Sequence, residues 1–68
     1  MPKRAELTRR EVRAALAQMG KNQRWLAREL GVTDSTISEI LSGRYSPSLE
    51  VAIGIQRLTG VPAERFVR

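Results

Sequence analysis

A chain of 68 residues is the size of one domain, near the lower limit at which an apolar core suffices without staples. It contains no cysteine and no histidine, which removes disulfides, thiolate nucleophiles, His-based acid–base pairs and the usual zinc sites; no enzymatic constellation, metal site or cofactor is expected. A net charge of +5 and a pI near 11.1 predict a polyanionic partner, and apolar runs of only a few residues predict neither signal peptide nor membrane span, hence a soluble cytoplasmic chain with no membrane partner.

The charge is polarised along the chain. Residues 1 to 28 hold eight of the twelve basic residues (Lys3, Arg4, Arg9, Arg10, Arg13, Lys21, Arg24 and Arg28) against Glu6 and Glu11, whereas the remainder holds four bases and five acids. Such a first third can lie along phosphates, although arginine stems over apolar neighbours also make an ordinary solvated surface.

Residues 1–7 show no periodicity and are expected to form a flexible basic arm, with the domain occupying 8–68. Thr8-Arg9-Arg10-Glu11 reads as a capping box, and Leu7 and Val12 are placed for a hydrophobic staple, so the first helix is predicted to start at Thr8. Val12, Leu16 and Met19, with Ala15 beside them, supply its apolar stripe, and Gly20 ends it. Asn22 is then the expected N-cap of a second helix that buries Leu26, Ala27 and Leu30. Trp25 can either pack half-buried against the core or stack on a base; packing is the expectation.

Gly31-Val32-Thr33 forms a three-residue turn, the glycine suiting a left-handed C′ position and Thr33 capping a third helix over about residues 34–42. Ile37, Ile40 and Leu41 define the inward face of that helix. At 100° per residue Ser35, Ser38, Glu39 and Ser42 then point outward, flanked by Asp34 and Thr36. Two short helices joined in this way make a helix-turn-helix, whose second helix can enter a DNA major groove.

Arg44-Tyr45-Ser46-Pro47-Ser48 is a loop by composition. Ser48 can cap a fourth helix running through Thr59, with Leu49, Ala52 and Ile55, and also Ile53, Val51 and Leu58, on its apolar side. Gly54 costs that helix about 1 kcal/mol against alanine and so marks close helix packing. Gly60 closes it, and a fifth short helix is expected over 62–66, with Pro62 at its first turn. The expected fold class is all-α, a five-helix domain.

The run Gln23-x-x-Leu26-Ala27-x-x-x-Gly31-Val32-Thr33-x-x-x-Ile37-Ser38-x-Ile40-Leu41-x-Gly43, followed by Arg44 and Pro47, resembles the lambda-repressor-like or Cro/CI-type helix-turn-helix domains of phage repressors and small bacterial regulators. The resemblance covers residues 8 to 67. It implies a sequence-specific regulator that binds double-stranded operator DNA by its third helix. Asp34, Ser35 and Glu39 take the base-reading places, with Thr36 and Ser38 adjacent.

The family often has glutamine where this chain has Asp34. A carboxylate there, like that of Glu39, can accept from cytosine N4. Alternatively Asp34 only complements the positive helix terminus, worth ~0.3–1 kcal/mol. The resemblance further implies phosphate contacts from Asn22 and Gln23, with Gln23 donating to Asp34 and to a phosphate together. A second clamp would comprise Ser42, Arg44, Tyr45 and Ser46, and Arg10, Lys21 and Arg24 would extend the track, with Lys3 and Arg4 in the arm.

Operator binding implies a homodimer on a pseudo-palindromic site, for which Val61, Phe66 and Val67 are candidate contacts; closing the core is the other role open to them. No small-molecule ligand is expected. Two rivals share the fold: an antitoxin, for which little chain remains to bind a toxin, and a protein-interaction module without DNA binding, which the acidic Asp34 and Glu39 would suit.

Overall fold

The structure, a computed structural model, describes the backbone of residues 4–66 and the side chains of 6–66. Among the described residues there are four α-helices and no strand: α1 (Arg4–Gln18), α2 (Gln23–Leu30), α3 (Asp34–Leu41) and α4 (Leu49–Thr59), followed by a 3-10 turn at Ala63–Arg65. Helix α3 packs on α1 and α2, while α4 packs on α2, α1 and the 3-10 turn. Val12, Leu16, Leu26, Ala27, Ile37, Ile40, Leu41, Ala52, Ile55, Val61 and Phe66 form one core. None of the described helices is long and apolar enough to cross a membrane.

The expected caps of α2, α3 and α4 are present. Asn22 Oδ1 accepts from the Trp25 amide at 2.9 Å, Thr33 Oγ1 from Thr36 at 3.1 Å, and Ser48 Oγ from Val51 at 3.3 Å. Each satisfies one of the orphan donors at a helix start.

Three expectations are corrected. Helix α1 begins at Arg4, one turn before Thr8, because residues 4–7 are strong helix formers and Glu6 pairs with Arg10 at i,i+4. Thr8 is therefore inside the helix, 2% exposed and in line with Val12 and Leu16, while Leu7 stands out in solvent. Of the expected arm, residues 1–3, Lys3 among them, lie outside the described residues, while Arg4 joins the helix backbone.

Met19 is exposed rather than core, because α1 stops at Gln18 and Gly20 adopts φ +70°, so helical spacing no longer applies beyond the last turn. The fifth helix is only the 3-10 turn. Pro62 offers no amide, and the segment closes with i→i+3 bonds from Arg65 to Pro62 and from Phe66 to Ala63, both 3.0 Å. A single turn gains too few bonds to nucleate an α-helix, and Phe66, held in the core, ends it.

Helix α4 also divides differently from its expected apolar side. Ala52 and Ile55 are buried and Val51 and Leu58 half-buried, but Leu49 and Ile53 lie on the opposite flank, exposed. Gly54 does mark close packing: a Cβ there would stand 2.5 Å from Leu30 Cδ2 of α2. The clash is with the end of a flexible side chain, so the Leu30 shift and the ~1 kcal/mol gain in helix propensity should nearly cancel in Gly54→Ala. Gly54→Val has no such escape and should cost about 1–3 kcal/mol. Urea denaturation of both variants checks this; a large loss from alanine would mean that Leu30 is rigidly held.

Candidate nucleic-acid interface

The turn between α2 and α3 is closed on both sides. Gly31 adopts φ +71°, where a side chain is strained, and the amides of Gly31 and Val32 donate back to Arg28 at 3.2 Å and Ala27 at 3.0 Å. Thr33 then starts α3, and burial of Ile37, Ile40 and Leu41 orients it. Asp34, Ser35, Ser38 and Glu39 are consequently exposed along one face. Thr36 differs from its neighbours: it is half-buried, and its hydroxyl lies 2.8 Å from the Thr33 hydroxyl, which ties it to the cap.

Gln23, at the first position of α2, links the two helices. Its Nε2 donates to Asp34 Oδ1 at 3.1 Å and to Ser38 Oγ at 2.8 Å, with the Asp34 carbonyl at 3.4 Å. The expected donation to Asp34 is present. The second amide proton, assigned above to a phosphate, is instead directed to Ser38, so donation to phosphate from this side chain requires that bond to open. Accepting from Gln23 leaves the Ser38 hydroxyl its own proton to donate. The Asp34 carboxylate, which has no proton to donate, is fixed in rotamer as an acceptor.

Around this centre the remaining candidates differ in availability. Gly43, at φ +81°, lets the amides of Arg44 and Tyr45 both donate to the Glu39 carbonyl, at 3.0 and 3.2 Å, and leaves their side chains exposed. Ser42 Oγ donates to the same carbonyl at 3.1 Å, and Ser46 Oγ to the Phe66 carbonyl at 3.4 Å, so both hydroxyl protons are already engaged. At the start of α2, Asn22 uses its carbonyl oxygen as the cap and keeps its amide as a donor, Arg24 is exposed, and Lys21 Nζ sits 5.5 Å from the centre of the half-buried Trp25 ring. Arg10 is exposed on α1 and paired with Glu6 at 3.6 Å.

Val61 and Phe66, candidates for self-association, are each 6% exposed within the chain's own core and take their other role, closing it; Val67 lies outside the described residues. Three links were not legible in the sequence: Gln23 to Ser38, Ser46 to Phe66, and the ion pair between Arg65 and Glu11 that ties the 3-10 turn to α1. Each joins residues 15 or more positions apart, and local spacing carries no signal for such pairs.

A helix-turn-helix family model matches residues 12–66, a span that takes in α2, α3, α4 and the final turn. No curated protein and no solved structure matches the chain.

Proposed function

We propose, from the premise that this chain belongs to the lambda-repressor-like helix-turn-helix family of DNA-binding transcription regulators, not enzymes, that it is a sequence-specific repressor of Cro or CI type. It acts by occupying a double-stranded operator in the cytoplasm and excluding or contacting RNA polymerase, without a small-molecule ligand. The observation that supports this most directly is the Gln23 bridge, which holds an acceptor (Asp34) and a donor-capable hydroxyl (Ser38) on the outer face of a helix whose other face is buried.

In this reading Asp34, Ser35 and Glu39 meet base edges, and the two carboxylates accept from cytosine N4. Acids so close to phosphates repel them, so affinity comes from the flanks: Asn22, Lys21 and Arg24 at the start of α2, Arg44 and Tyr45 after α3, and Arg10 on α1. Two copies occupy half-sites about 34 Å apart on a pseudo-palindromic operator.

Selection from a random duplex library, followed by salt titration of the winning site, tests the reading. Wild type should select a defined motif and lose affinity with a slope of about −0.9 per phosphate contact. Glu39→Gln should change the preferred base at one position per half-site, worth about 1–3 kcal/mol, whereas Arg44→Ala should weaken all sequences alike and reduce the salt slope by about one per copy. Salt-insensitive binding with no selected motif would instead identify a protein-interaction module. An unchanged motif after Glu39→Gln would remove that residue from base reading.

A further inference from the structure

Helix α4 presents an apolar pair that the core does not use. Leu49 is 63% exposed and Ile53 41%, one turn apart on the solvent side. Glu50 and Arg57, also exposed, border this seam, and neither makes an ion pair within the described residues. Seven residues apart, they stand on the same flank of the seam, about 20° from one another around the helix.

That charge pattern is complementary to its own reverse. When two copies of α4 lie antiparallel about a dyad beside Ile53, the isoleucines meet at the centre and Glu50 of each copy faces the partner's Arg57, twice by symmetry. A parallel pairing would carry Glu50 and Arg57 of the second copy to the opposite flank of the seam, so that neither finds its charge partner. A partner of one charge sign would meet one matched and one opposed residue. We infer that α4 is the self-association surface of this protein: a second copy packs antiparallel on the Leu49–Ile53 seam with reciprocal Glu50–Arg57 ion pairs.

The inference rests on the proposed homodimer and supplies the contact that Val61 and Phe66, consumed by the core, do not. Leu49 and Ile53 belong to α4 and the base-reading candidates to α3, so the two roles use different residues. A seam this short makes a weak dimer in solution, strengthened when adjacent half-sites tether both copies.

Sedimentation equilibrium at roughly 0.1–1 mM chain, a range suited to weak association, tests it. Wild type should be a reversible dimer, and Ile53→Glu, which places two carboxylates at the dyad, should be a monomer. Glu50→Arg and Arg57→Glu, each turning attraction into repulsion at both symmetric pairs, should self-associate roughly tenfold more weakly. Mixing those two variants should restore wild-type association, because in the mixed pair each basic flank faces an acidic one.

A wild type that stays monomeric, variants that associate as tightly as wild type, or no recovery on mixing would overturn the inference. Circular dichroism checks each fold, and if Ile53→Glu does not fold, the charge reversals decide. A dimer that binds no operator would overturn the DNA reading alone, and a dimer on the operator that the Ile53 and charge-reversal variants leave intact would overturn the α4 contact alone.

Discussion

Ile37→Ala is expected to lose about 2–5 kcal/mol of folding free energy, the range for deleting most of a buried aliphatic side chain and leaving a cavity. Ile37 is 0% exposed on α3, the helix that α1 and α2 hold between them, and no neighbour can close in without moving a helix. A core in a domain this small rarely supplies more than ~3–5 kcal/mol in total, so the variant should be largely unfolded at 37 °C. Ile37→Val, removing one methylene, should cost only ~0.5–1.5 kcal/mol and remain cooperative. Urea titrations followed by circular dichroism, without DNA, give both values; DNA would raise apparent stability by mass action and mask the difference. An alanine variant within about 1 kcal/mol of wild type would show that α3 is anchored elsewhere.

Gln23→Glu should have the largest effect on the interface. It replaces the amide that donates to Asp34 Oδ1 at 3.1 Å with a second carboxylate at the same place. Asp34 is exposed and Gln23 only half-buried, so the repulsion is on the order of 1 kcal/mol and the fold should survive. Binding should fall further, by roughly 100-fold, because Asp34 loses its fixed rotamer and an added negative charge meets the DNA backbone. Adding Asp34→Asn restores a donor–acceptor pair across the helices with the roles exchanged. The double variant should regain stability, yet select a different base, since an introduced amide reads adenine where a carboxylate accepts from cytosine. Equal stability of all three proteins would show that the bridge does not link the helices in solution, and an unchanged motif in the double variant would take Asp34 out of base recognition.

These two predictions lie at the two ends of what the sequence reveals. The burial of Ile37, Ile40 and Leu41 follows from their spacing, as do the caps at Asn22, Thr33 and Ser48 and the turn at Gly31, because these depend on residues within about one turn of each other. The start of α1 is ambiguous in the sequence for a local reason: Thr8-x-x-Glu11 satisfies a capping pattern equally well inside a helix whose preceding residues also favour it. Pro62 signalled a helix start correctly in kind, but a single turn has too few bonds to become α.

The sequence by itself determined four helical segments, their inward stripes in α2 and α3, and the family to which the chain belongs, since all of these are written in short-range spacing. Tertiary structure alone decided which way the ambiguous groups turned. It put Leu49 and Ile53 outside and Val61 and Phe66 inside, and it directed the second proton of Gln23 to Ser38. Periodicity states that a helix has an apolar side, but when that side is wider than the neighbour it packs against, only the position of the neighbour decides which residues are covered. On α4 the neighbours cover Ala52 and Ile55 and leave the other flank exposed.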